Sequence, residues 1–219
     1  LGIVHGVSYD AAGSKRGLYR RILGNAWLDL PPSVLRIHDD TETRKWRGRA
    51  KVSRGDNLLA RFIGSLFRFP PASDDVAVTV EFRRHNGREK WIRNFSGKRF
   101  SSVQWQGRDR YDGLLCERFG PFTFGIALVV DNGRLRVPIR RWSILGIPLP
   151  LWLAPRSNTC EFDDGGTFRF HIDVRLPLIG QVVGYSGYID EEVPLPSATF
   201  VPDHGFNARY RNGRLTSIR

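Results

Sequence analysis

The sequence predicts a mainly β, β-rich α+β domain. An antiparallel meander is expected to be closed or strongly curved into a barrel-like sheet, with N-terminal helices and one amphipathic helix packing on it or plugging it. Three observations lead there. From Asp75 onward apolar residues recur with a period of two, as in strands that bury one face. Asn86-Gly87 and Asp131-Asn132-Gly133 separate such runs and are strong hairpin signals. Sustained helical periodicity is clearest in one stretch, residues 57–69, and no regular alternation of strands with helices argues for a parallel sheet.

Taken in order, residues 1–14 are polar and Gly/Ala-rich and read as a loose terminus. A short helix is expected from Lys15 to Leu23, with Leu18, Tyr19, Ile22 and Leu23 on one side. Pro31 or Pro32 then starts a second helical turn carrying Val34, Leu35 and His38, since proline suits a first helical position. Residues 44–53 alternate as a strand. In the helix over 57–69, Leu58, Leu59, Phe62, Ile63, Leu66 and Phe67 form one apolar stripe that must be buried somewhere, and Pro70-Pro71 ends it.

The strands then follow. Val76, Val78, Val80 and Phe82 share a face, and the return strand after Asn86-Gly87 puts Trp91, Arg93 and Phe95 on one face. Residues 99–106, 113–119 and 122–130 read as further strands, and 135–139 pairs with the last of these across a second hairpin. After the apolar run 142–153 come strands over 159–162, 167–175 and 182–189. The single domain is placed at 15–192, and the Pro-rich, then basic, segment 193–219 reads as a disordered tail. No repeat of fixed period is present.

Composition excludes several classes. Of 219 residues 41% are hydrophobic, enough for a sizeable core, so the chain is not globally disordered. The net charge of +12 attracts anions, but arginine is scattered among acids and there is no reading helix, zinc spacing or stacking motif, so no nucleic-acid partner is expected. No stretch reaches the roughly 20 apolar residues of a transmembrane helix. Two lone cysteines, Cys116 and Cys160, suit a reducing compartment, with a single disulfide as the alternative, and no metal. With no secretory pattern at the start, the expected location is cytoplasmic, with a membrane-peripheral one as the alternative. No cofactor is expected, for GxGxxG, P-loop and GxSxG motifs are all missing.

Candidate site residues come from strand phase. Arg93 between Trp91 and Phe95 suits either an anionic or carbonyl ligand held between rings or a structural ladder with arginine stacked on tryptophan. Glu117 is in phase with Leu115 and Phe119. If that face is interior, it needs a cation, and Arg93 is the natural partner. Glu161 raises the same question. Tyr185, within Gly184-Tyr185-Ser186-Gly187-Tyr188, lies on a strand marked for close backbone approach or a bend, and its hydroxyl suits either a bond to a ligand or a place at the rim of the core. His38-Asp39-Asp40 is the densest metal-like cluster and is read as a polar helix end. His171 is expected to face solvent. The run 142–153 reads as a buried crossover, or as a cover or membrane contact flanked by Arg140, Arg141 and Arg156.

The order of motifs resembles a bacterial domain family, domain of unknown function 4166. The resemblance rests on Leu30-Pro31, Val34, His38-Asp39, Gly48, Ala50 and Phe69-Pro70. It continues through Trp91-Ile92-Arg93-Asn94-Phe95, Phe100-Ser101-Ser102 and Glu117-Arg118-Phe119-Gly120-Pro121. It closes with Pro148-Leu149-Pro150, Glu161, Phe168, Phe170, Pro177-Leu178-Ile179-Gly180 and Tyr185-Ser186-Gly187. It spans about Tyr19 to Ile189. The resemblance implies no known activity and no catalytic residues. It does imply an accessory role, since family members occur alone or attached to saccharopine-dehydrogenase-like oxidoreductases.

Three functions are expected in descending order. The first is a non-catalytic binding module for a small apolar or lipid-like molecule, lined by Trp91, Arg93, Phe95, Glu117, Glu161 and Tyr185. The second is an accessory interaction domain serving an oxidoreductase partner or a membrane surface through 142–153. The third is an enzyme using Glu117 or Glu161 with Arg93.

Overall fold

A computed structural model describes residues 17–38 and 43–194 of the chain. The described part opens with α1 (Leu18–Leu23), a 3-10 turn (Gly24–Asp29) and α2 (Pro32–His38), with Pro32 in the first position of its helix. Strand β1 (Arg44–Arg54) leads into α3 (Leu58–Leu66). The Asn57 side chain caps α3, its Oδ1 accepting the Ala60 N–H at 2.8 Å. Arg68, at φ +57°, and Pro70-Pro71 end it.

Next come β2 (Ser73–His85), β3 (Arg88–Phe95), β4 (Lys98–Gln106), β5 (Leu115–Phe119), β6 (Phe122–Ile126), β7 (Val129–Asp131), β8 (Arg134–Arg136) and β9 (Ile139–Ile144). The chain continues through β10 (Ile147–Pro148), a 3-10 turn (Leu151–Leu153), β11 (Arg156–Ser157), β12 (Cys160–Asp164), β13 (Thr167–Leu176) and β14 (Gly180–Glu192). Asn86-Gly87 and Asn132-Gly133 each hold both residues at positive φ, which matches the right-handed twist of the strands they join.

All strands enter one antiparallel sheet, in the order β10-β9-β6-β5-β4-β3-β2-β1-β14-β13-β12-β8-β7, with β11 on β13. The first and last described strands meet within it, where β1 pairs β14 with Val52 opposite Tyr185. The expected barrel is not formed. The ladder is open and ends at β10 on one side and β7 on the other. The expected strand over 135–139 is interrupted at Pro138, which has no N–H to donate. Only single backbone bonds stand there, Ala127 N–H to Pro138 O at 3.0 Å and Val137 N–H to Thr159 O at 3.3 Å.

Two further expectations need correction. The stripe of α3 is not buried. Its small residues Ala60 and Gly64 are the buried ones, Gly64 against the Arg54 guanidinium, while Leu58, Leu59, Phe62 and Leu66 remain exposed. The run 142–153 is not one connection. Trp142 and Ser143 are buried in β9, whereas Leu145, Ile147, Leu151, Trp152 and Leu153 are exposed.

The core lies on the sheet face that carries Val78, Val80, Phe82, Trp91, Phe95, Phe168 and Phe170. α1 packs against β4, and α2 against β12 and β13, closing one end with Leu18, Tyr19, Val34 and Ile37. α3 sits on β1 and β14 at the other end. His171 is half-buried, opposite Cys160. No helix among the described residues is long and apolar enough to cross a membrane.

Candidate ligand-binding cavity

The inward sheet face bounds a cavity of about 880 Å³. Phenylalanines 67, 69, 119 and 122 form a ring cluster at the α3 end, with neighbouring centroids 5.3–6.0 Å apart. Leu66 lines the cavity and is 65% exposed, which marks where the cavity meets solvent. Phe100 on β4 and Tyr185 on β14 stand four ladder steps apart, yet their rings meet at 6.4 Å. The walls between are aliphatic and aromatic, including Val80, Ile126, Phe170, Ile172 and Val183.

Polar groups gather toward the α1–α2 end. Trp91, Arg93, Phe95, Glu117, Glu161 and Tyr185 all line this one cavity, because β3, β5, β12 and β14 present the same phase inward. Arg93 Nη1 donates to Ser102 Oγ at 3.0 Å, and Ser102 donates to Glu117 Oε1 at 2.5 Å. Arg93 Nη2 stands 3.6 Å from the same Glu117 oxygen, the two side chains being 15% and 20% exposed. The guanidinium also lies over Trp91, 4.9 Å from its centroid, and near Phe100 at 5.8 Å. The expected Arg93–Glu117 pair is therefore present, together with the structural stacking on tryptophan.

Several participants carried no assignment from sequence. His38 is fully buried and its Nε2–H donates to Glu161 Oε2 at 2.5 Å. Its ring stacks on Tyr19, centroids 3.9 Å apart, and lies 5.7 Å from Trp91. Tyr19 OH donates to Gln104 Oε1 at 3.2 Å. Glu89 is buried, taking Arg84 Nε at 3.1 Å and Trp91 Nε1 at 3.2 Å. Phase would have found Glu89, two residues before Trp91, and Gln104, four after Phe100. His38 has no such signal, since its burial depends on where α2 docks. It is the last residue of α2, and there it is buried and turns to Glu161, while Asp39 and Asp40 lie outside the described residues. Among the described residues no three His, Cys, Asp or Glu side chains cluster as metal ligands.

Burial, reinforced by Glu161, Glu117 and Glu89, pushes the Tyr19 hydroxyl well above its ordinary 10.0. Burial raises Tyr185 as well, against a lowering influence of Arg93. Both phenols are uncharged hydrogen-bonding groups at neutral pH. A raised folded-state value favours the protonated form on folding, so this stabilisation is complete below the unfolded pKa of about 10 and is lost as pH rises beyond it. Denaturant midpoints should stay level as pH approaches 10 and fall above it. Tyr19→Phe should flatten that fall, and an unchanged slope would remove Tyr19 from the account. Cys116 and Cys160 are free thiols, and burial raises Cys116 to about 11.

Arg93→Ala should cost about 2–3 kcal/mol, read as a shift in urea midpoint. The cost is below that of breaking a fully buried pair because the 3.6 Å contact is partly hydrated and Ser102 still serves Glu117. A change under about 0.5 kcal/mol, the usual effect of a surface substitution, would show the pair contributes nothing.

A mainly β domain with one large apolar cavity and a sparse polar end belongs to the class of folds able to enclose a small molecule. The model of the family described as domain of unknown function (DUF4166) matches residues 30–189, and the chain belongs to that family. It matches no curated protein.

Proposed function

We propose that this domain is a non-catalytic binding module for a small apolar or lipid-like molecule held in the cavity. The observation that carries the reading is the cavity's size and lining. About 880 Å³ falls in the range of small-molecule sites, which are mostly apolar with a few convergent polar groups. The carboxylates do not favour catalysis. One oxygen of Glu117 is engaged by Arg93 and Ser102, and one oxygen of Glu161 by His38.

Native mass spectrometry of the purified protein, paired with solvent extraction, tests this. A discrete extra mass is expected. A clean apo mass that persists after incubation with cell lipid extract overturns the reading.

One observation favours a second reading, peripheral contact with an anionic membrane. Leu145, Ile147, Leu151, Trp152 and Leu153 are exposed beside the cavity-lining Ile144 and Pro155, and the chain carries a net charge of +12. Co-sedimentation with phosphatidylglycerol vesicles, reduced by Trp152→Ser, is the expected result. Equal recovery with and without vesicles would exclude it.

A further inference from the structure

We infer that the inner end of the cavity favours a hydroxyl-bearing head group and rejects carboxylate and phosphate heads. This rests on the binding-module reading and goes further, since it fixes the chemistry of the guest. Arg93 is the sole lysine or arginine lining the cavity among the described residues. It is already engaged. Glu117 stands 3.6 Å from one guanidinium nitrogen, Ser102 accepts from another, and Trp91 covers the face. A head group carrying negative charge would meet two lining carboxylates, Glu117 and Glu161, and one neutralised cation. Burying an anion without a partner is strongly unfavourable.

Hydrogen-bonding capacity remains for a neutral guest. Glu161 spends one oxygen on His38 and keeps a second as acceptor. Gln104 uses its carbonyl on Tyr19 and keeps its amide N–H groups as donors. Gln104 is bonded to Tyr19 and Glu161 to His38, the two rings stack 3.9 Å apart, and both polar groups line the cavity. A hydroxyl donates to Glu161 and accepts from Gln104, whereas a carboxylate has no proton for Glu161. The apolar remainder of the guest extends toward the phenylalanine cluster under α3.

The test is competition for the cavity at pH 8, followed by tryptophan fluorescence and by displacement of an uncharged apolar dye. The probes are dodecan-1-ol and dodecanoate. The alcohol should bind at least about tenfold more tightly than dodecanoate, the scale of one charged group left without a partner. Glu117→Gln, which frees the Arg93 charge, should shrink that ratio by strengthening dodecanoate. Dodecanoate binding as tightly as the alcohol to the natural protein overturns the inference while leaving the binding-module reading intact. If neither dye nor any probe binds, both fall. The comparison on the natural protein decides the matter even where the Glu117 variant does not fold.

Discussion

Replacing Glu89 with alanine is expected to lower stability by roughly 3–5 kcal/mol, the cost of breaking a buried ion pair from one side. The Arg84 and Glu89 side chains are only 7% and 3% exposed, with Nε–Oε1 at 3.1 Å. The other Glu89 oxygen accepts the Trp91 indole N–H at 3.2 Å. Alanine removes both acceptors and takes the carboxylate away from a guanidinium that is itself almost fully buried. Glutamine keeps an acceptor of similar shape and should lose less. Urea denaturation at pH 7 gives the comparison. If Glu89→Ala and Glu89→Gln cost the same small amount, under about 0.5 kcal/mol as for surface substitutions, the pair is inert.

A loss of similar size, on the order of 3–5 kcal/mol, is expected for Gly48→Ala, because backbone displacement belongs to the severe tail of single substitutions. A Cβ at Gly48 would stand 1.9 Å from the Tyr188 carbonyl oxygen, and one at Gly187 would stand 2.1 Å from the Arg49 oxygen. Both lie on the β1–β14 pairing, whose register shifts between Arg47 and Gly48. Neither glycine is at positive φ, so close approach, and not turn geometry, is what demands them. The neighbouring atoms are backbone and cannot swing aside. The substitution should lower the denaturation midpoint and speed amide exchange over residues 186–189. Normal exchange there with normal stability would show that β1 and β14 tolerate separation.

Particular elements show what could be read in advance. Val78, Val80 and Phe82 on one face of β2, and Phe168 and Phe170 on one face of β13, were legible because a pleated strand sends alternate side chains to opposite sides. The same rule placed Arg93 and Glu117 in phase with buried neighbours. The glycines of the Gly184–Tyr188 segment signal close backbone approach or a bend, and at Gly187 the structure shows close approach. Pro138 was visible too, but the hairpin pattern around it carried the expected strand across a residue that cannot donate to a ladder. His38 was not legible as a core residue. Its burial requires α2 to dock over β12 and bring it to Glu161, 123 residues away in sequence. The stripe of α3 misled because amphipathic spacing records which residues share a face, not whether anything covers that face.

The sequence by itself determined the antiparallel strands, their hairpin turns and the sets of residues sharing each face, because these follow from local sterics and turn chemistry. The tertiary structure alone decided which face is interior, that β1 pairs β14 across the length of the domain, that the ladder stays open between β10 and β7, and that the chosen side chains converge on one cavity. Those outcomes depend on contacts between distant segments, whose gain in apolar burial is shared by the whole sheet and is written in no single stretch of the chain.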